Sequence, residues 1–255
     1  MTTFYLGDCL EVMKELSDNS VDCFICDLPY GCLSGGPAKG KGVERTRASG
    51  ECTWDIKLDL SAFWTQVKRL ARNEHTPVLM FCNTKFGIDL INSNPDWFRY
   101  DLVWDKQRGV SFLSANKMPM KSHEMIYVFS KTGTFYRRID IEGDFKKAIG
   151  GGNGKKDGSK HYGIDRTIPP DNTGKRCPLS VIRTHGRSLK GHPTEKPEDL
   201  YEWLLKRYVP DNGTVLDPTA GSFNSCFVAD RLGYTAIGIE KDEVFFDKAV
   251  KRLNG

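Results

Sequence analysis

The stretch ICDLPYG at 25–31 ends an apolar run on a carboxylate, a proline, an aromatic ring and a glycine. Asp27 can accept hydrogen bonds, Pro29 fixes the local backbone, and Tyr30 offers a flat stacking face. Such a corner could set a hydrogen-bond acceptor beside a flat stacking surface. The plain alternatives are a strand-end turn for Asp27 and a half-buried core aromatic for Tyr30. A second set of residues lies downstream in TVLDPTAGSF at 214–223, followed by YTAIGIE at 234–240. Strand, glycine turn, helix, strand and acid in that order form a ligand site at the carboxyl ends of parallel strands. Glu240 could accept both hydroxyls of a ribose, so a nucleoside-containing cofactor fits. A dinucleotide fits less well, because G-x-G-x-x-G is absent. A purely structural turn, with Glu240 as a solvated helix-start acid, is the alternative there.

These residues need a scaffold, and the apolar pattern supplies one. Phe4–Leu6 reads as a strand, with Asp8 at its junction to a helix in GDCLEVMKEL. Buried strands are expected over Val21–Cys26 and Pro77–Cys82, and further strands over Phe98–Trp104 and Glu124–Phe129. Leu58–Arg72 has the spacing of an amphipathic helix, and Lys85–Ile91 reads as another. After a change of pattern, PEDLYEWLLKRYV is helical, with Pro197 and two acids at its start. Thr214–Asp217 is a strand, a helix runs to Leu232, Tyr234–Glu240 is a strand, and Asp242 begins a last helix. Alternating strands and helices predict an α/β fold around a mainly parallel sheet.

Composition sets the outer limits. A chain of 255 residues with 39% hydrophobic and 27% charged residues can bury one large core, with room for one inserted lobe. No apolar run approaches the roughly 18 residues of a membrane span. The N-terminus lacks a basic-then-apolar export signal, so a cytoplasmic location with reduced thiols is expected. Cys23 and Cys26 match half a metal site, but no second pair completes it. On a strand they would point to opposite faces, so they are read with Cys82 and Cys226 as core, and no metal is expected.

Charge is unevenly placed. From Lys131 to Gly191 there are fourteen Lys and Arg against six Asp and Glu, a net of +8 within a chain of +4. Eleven glycines fall between Gly133 and Gly191, with few apolar runs. This block is either a basic lobe that lies on a polyanion or a solvated insertion. Leu28–Thr53, which contains GGPAKGKG, is a long polar loop by the same criteria.

With ICDLPYG, HPTEKP at 192–197 and LDPTAGSF at 216–223 in hand, the chain resembles the amino-group DNA methyltransferases that use S-adenosylmethionine. Their signature is Asp/Asn/Ser-Pro-Pro-Tyr/Phe, and Asp27-Leu28-Pro29-Tyr30 is a variant of it. The catalytic motif precedes the cofactor motif, as in the permuted, beta-type arrangement. GDCLEVMKEL and SHEMIYVFSK also look like family segments. The resemblance implies a Rossmann-like methyltransferase fold, with helices on both faces of the sheet and an irregular basic insertion. It assigns 1–130 and 192–255 to catalysis and cofactor binding, and 131–191 to target recognition. Asp27, Pro29 and Tyr30 would act on the target base. Asp217, Thr219, Gly221 and Ser222 would lie near the methionine and sulfonium, Glu240 at the ribose and Asp8 near the adenine ring. Lys196 and Pro197 would hold the methionyl end.

An Asp in the signature points to N6 of adenine in double-stranded DNA, reached by base flipping. Lys146, Lys147, Lys155 and Lys156 would contact phosphate, while Gly35–Lys41 would close over the flipped base with Lys39 and Lys41 on the backbone. An N4-cytosine enzyme, an RNA or protein methyltransferase, and a DNA-binding relative without catalysis are the other readings. A homodimer and a cognate restriction endonuclease remain open as further partners. One departure stands out. Phe223 occupies the place of the family's second glycine, which puts cofactor affinity, or the course of the turn, in question.

Overall fold

A computed structural model of the protein describes residues 1–30, 57–110, 112–142, 175–184 and 195–254. The strands are β1 (Thr2–Leu6), β2 (Cys23–Cys26), β3 (Val78–Cys82), β4 (Phe98–Val110), β5 (Lys121–Phe129), β6 (Ile141–Glu142), β7 (Lys175–Arg176), β8 (Val181–Arg183), β9 (Thr214–Asp217) and β10 (Thr235–Glu240). The helices are α1 (Cys9–Glu15), α2 (Leu60–Leu70), α3 (Thr84–Ser93), α4 (Glu198–Tyr208), α5 (Asn224–Arg231) and α6 (Glu243–Asn254). Two compact units result, Met1–Arg137 with Ser180–Gly255, and Arg138–Leu179. Within the second unit, β6 and β7 pair antiparallel.

The first unit holds a sheet in the order β1-β10-β9-β2-β3-β5-β4-β8. The pairs from β1 through β3 are all parallel, and β5 alone runs against its neighbours β3 and β4. The strands expected at 98–104 and 124–129 are thus two arms of one hairpin, longer than their apolar stretches suggest. β8 lies in the basic stretch of the sequence, yet it pairs parallel with β4 in the main sheet.

Strand alternation builds two cores, one on each face. Phe24, Cys26, Val78, Met80 and Cys82 pack with Met13, Phe63, Val67, Phe86 and Leu90 of α1–α3. Cys23, Ile25, Leu79, Phe81 and Val215 pack with Leu200, Leu204, Tyr208 and Cys226 of α4 and α5 and with Ala249 of α6. Cys23 and Cys26 accordingly face opposite cores, both fully buried. Each large apolar side chain so buried contributes about 1.5–3 kcal/mol. Helix starts are held by side chains, as Asp59 accepts from the Ser61 and Ala62 amides and Asn83 from Phe86. Among the described residues no helix is long and apolar enough to cross a membrane.

Candidate active site

Parallel register brings the strand ends to one edge, and most of them finish on an acid. Asp8 follows β1, Asp27 follows β2, Asp217 closes β9 and Glu240 closes β10. A carboxylate can stand there because the neighbouring chain turns away and exposes amides and cations to it. Each of these four has found a different partner.

At the end of β2, Asp27 is half-buried and doubly held. Its Oδ1 accepts from the Tyr30 hydroxyl at 2.8 Å, and its Oδ2 from the Lys196 ammonium at 2.6 Å. The Tyr30 ring stacks on Phe86 at an interplanar angle of 30°, with centroids 5.1 Å apart. Burial, with the charges of Asp27 and Glu124 behind it, holds the Tyr30 hydroxyl well above the usual phenol range, so it stays a donor. Leu28 is buried beneath the corner while Pro29 remains half-exposed.

Lys196 is only 5% exposed and has a second carboxylate, Glu124 of β5, at 3.4 Å. Its ammonium also lies 5.1 Å from the centre of the Phe81 ring. Burial alone would depress the Lys196 pKa, but Asp27 and Glu124 outweigh it and raise it. Glu124 in turn pairs with Lys106 of β4. Burial would raise its carboxyl pKa, yet Lys196 and Lys106 bring it below the ordinary value. Two cations and two carboxylates thus alternate from β4 to the corner as Lys106, Glu124, Lys196 and Asp27. Sequence reasoning grouped Lys196 with the cofactor residues; here its ammonium is spent on the corner. Glu124 and Lys106 were not singled out at all. The available signal was a carboxylate at the head of the apolar run of a strand, in SHEMIYVF.

The turn after β9 is organised from below. Asp217 is buried, accepting from the Thr219 amide at 3.1 Å and from the Ser225 hydroxyl. Burial pushes its carboxyl up to about 7; Ser225 and Thr219 oppose this, and the charges of Asp27 and Glu240 add to it. Glu240 Oε2 accepts from the Gly221 amide at 2.7 Å, and Oε1 from Lys241 and Asp242 at 2.9 and 2.8 Å. Three of its roughly four lone-pair sites are therefore occupied by backbone. Asp8 caps α1 through the Leu10 amide at 2.9 Å, with the Lys241 ammonium 3.8 Å from its other oxygen. Pro197 is buried at the N-cap of α4.

Phe223 does not obstruct this turn. It takes the left-handed conformation, φ 58° and ψ 20°, that a glycine would adopt freely. Its ring turns into the core and is fully buried, 4.2 Å from the Phe4 ring centre. Gly238 makes the seat, since a Cβ there would come within 2.6 Å of the Phe223 ring. The strained φ, worth about 1–2 kcal/mol, is offset by burying a whole aromatic ring.

A cofactor's fit to the turn can be judged from two atoms. A Cβ at Gly221, where φ is +52°, would meet nothing within 4 Å, so the backbone there is open to a ligand. The Thr219 hydroxyl is buried and has no hydrogen-bond partner. Such an orphan is costly unless a bound group satisfies it. The turn therefore suits a polar ligand at Thr219 and Gly221, with half-exposed Ser222 beside them. Lys39, Lys41, Lys146, Lys147, Lys155 and Lys156 lie outside the described residues.

A mainly parallel sheet with helices on both faces, acids at its strand ends and a glycine turn after β9 defines a Rossmann-like methyltransferase. Residues 21–251 match the DNA methylase family N6_N4_Mtase, and the chain belongs to that family. It is similar to the type II methyltransferase M.HinfI of Haemophilus influenzae, 27% identical over 264 residues, covering 99% of this chain and 68% of that protein. Solved structures share the fold. The M1.HpyAVI–SAM complex has a TM-score of 0.60 at 16% identity, with both chains covered completely. The cytosine-N4-specific PvuII DNA methyltransferase has a TM-score of 0.64 at 15% identity, covering 98% of this chain and 86% of that one.

Proposed function

We propose that this DNA amino-methyltransferase moves a methyl group from S-adenosylmethionine to N6 of an adenine flipped out of double-stranded DNA. The reading is carried by the Asp27 corner, a carboxylate gripped by Tyr30 and Lys196 on the same sheet edge as the turn at Thr219 and Gly221. Thr219, Gly221 and Ser222 would hold the cofactor, with Asp217 fixing their turn from beneath and Asp8 and Pro197 bounding the site. Glu240, with three backbone amides already on its carboxylate, would accept one ribose hydroxyl rather than both. The cofactor supplies an electrophilic methyl on a sulfonium, so the protein's task is chiefly placement.

An aromatic amine is a poor nucleophile because its lone pair is drawn into the ring. Asp27 accepts one amine hydrogen, and the backbone carbonyl beside Pro29 accepts the other, which draws the nitrogen toward tetrahedral geometry. Each Asp27 oxygen keeps a lone pair beyond those given to Tyr30 and Lys196. Lys196 fixes the direction in which the carboxylate points. Tyr30 stacks on the extruded base, a contact worth about 1–3 kcal/mol in nucleic-acid sites. The base must leave the duplex, because the amine cannot be approached within it. The signature's Asp supports adenine over cytosine.

The test is transfer of labelled methyl from S-adenosylmethionine to duplex DNA, with Asp27→Ala as control and hydrolysis of the product to nucleosides. N6-methyl-2′-deoxyadenosine made by the wild type and absent from the variant is the expected result. N4-methyl-2′-deoxycytidine would overturn the choice of base. Label found in RNA or protein alone would overturn the substrate class.

A further inference from the structure

The β4–β5 hairpin is longer than the sheet that holds it. β3 last pairs with β5 at Met125, and β8 last pairs with β4 at Asp105. From Lys106 to Glu124 the arm is only two strands wide, and among the described residues no further strand joins it. It continues four residues along β5 to the Val110–Lys121 pair, roughly 13 Å past the last rung shared with β3. β4 runs in the direction of β3, so the arm projects past the carboxyl edge of the sheet, the edge that carries Asp27.

The composition of the tip is unusual for a solvated turn. Phe112 is 77% exposed, Leu113 85% and Met118 58%. Apolar groups clustered at an exposed tip mark an interaction surface. Around them the stretch 106–121 carries four cations, Lys106, Arg108, Lys117 and Lys121, and no acid. Lys106 is used at the base of the arm, and Arg108, Lys117 and Lys121 are exposed. Two copies of this arm would repel each other, whereas a polyanion is complementary to it. The base of the arm is tied to the corner through Lys106, Glu124, Lys196 and Asp27. A partner gripped by the tip is thereby held in register with the proposed acceptor.

Building on the proposed function, we propose that this arm is a DNA wedge. Its apolar tip enters the duplex beside the target and occupies space vacated by the extruded base, while Arg108, Lys117 and Lys121 hold the flanking phosphates. Apolar side chains inserted between base steps are a general way to unstack DNA, and the vacancy left by a flipped base removes part of the unstacking cost.

The test uses the full chain and a duplex carrying 2-aminopurine at the target position, the sequence being read from DNA the wild type has methylated. Phe112→Ser with Leu113→Ser, both on exposed positions, should leave S-adenosylmethionine affinity and circular dichroism unchanged. The rise in 2-aminopurine emission on binding should be lost, and duplex affinity should fall about tenfold, the equivalent of one stacked base. A mismatch at the target, which lowers the cost of extrusion, should restore most of the emission. Lys117→Gln with Lys121→Gln should reduce the salt slope of duplex binding by about two. Unchanged emission and affinity in the tip variant would overturn the wedge while leaving methyl transfer intact. So would a change in sedimentation alone, which would make the tip a contact between copies. If the wild type methylates no duplex, the proposed function fails, and the wedge fails with it.

Discussion

At Tyr30 the hydroxyl donates to Asp27 and the ring lies against Phe86, so removing one differs from removing both. Tyr30→Phe keeps the ring and should lower turnover several-fold, about the worth of one charge-assisted hydrogen bond. Tyr30→Ala should cost far more turnover while changing S-adenosylmethionine affinity little, as read by steady-state kinetics beside calorimetry. Lys196→Met leaves Asp27 and Glu124 without their shared cation. Because both acids keep some solvent, the expected destabilisation is about 2–3 kcal/mol, below the full cost of breaking a buried pair. Glu124→Gln in the same chain should recover part of it, measured by urea unfolding as a double-mutant cycle. Asp217 gives the protein a pH signature. Its folded pKa of about 7 lies above the unfolded value near 4, so the native state binds a proton that the unfolded chain releases between them. Stability therefore falls as pH rises through that window, by at most about 4 kcal/mol from this group. Asp217→Asn should remove that slope. An amide can still accept from Thr219 and donate to Ser225, so the comparison at pH 5 and pH 8 isolates the charge.

Among the elements, the turn from β9 into α5 shows how one residue can break a local rule and keep the fold. Phe223→Gly should relieve the left-handed strain but empty a fully buried site, for a net loss of about 2–3 kcal/mol. Gly238→Ala would press a methyl into the Phe223 ring and the Cys226 sulfur and should unseat the turn. Its thermal midpoint and its S-adenosylmethionine affinity should fall together. The sequence showed a phenylalanine where the family carries glycine, but the glycine opposite it on β10 is what decides where the ring goes. Neighbours of that kind are set across the sheet and leave no local trace. By contrast, nearly every strand and helix of the main sheet was legible, because one-face and two-face burial write themselves directly into apolar spacing. The corner and the turn were legible as motifs. Glu124 and Lys106 were not, since a charge becomes part of a site only through what folds beside it. The antiparallel turn of β5 was hidden for a related reason, as the residues that prolong the arm are polar and follow no apolar pattern.

The molecule as a whole separates its charges. The net +8 between Lys131 and Gly191 leaves −4 for the rest, which includes the acid-ended strands. If the basic block meets DNA, replacing Lys146, Lys147, Lys155 and Lys156 by Gln should weaken duplex binding and lower its salt slope by roughly one for each phosphate no longer neutralised. Filter binding across a salt series checks this, and an unchanged slope would remove those lysines from the interface.

The chain leaves the main sheet's unit after Arg137, whose amide bonds the Arg207 carbonyl at 2.7 Å, and re-enters at Ser180, whose carbonyl is bonded by the Val103 amide at 2.8 Å. Both ends of the intervening segment are thus moored to the same scaffold before it begins and after it finishes. Loop closure grows only with the logarithm of length, about 0.6 kcal/mol for each doubling. A segment of another size or sequence could be spliced between those two moorings with little thermodynamic consequence. If that segment chooses the target, chemistry and target choice can diversify on separate schedules, one held in place by packing and the other free to be exchanged.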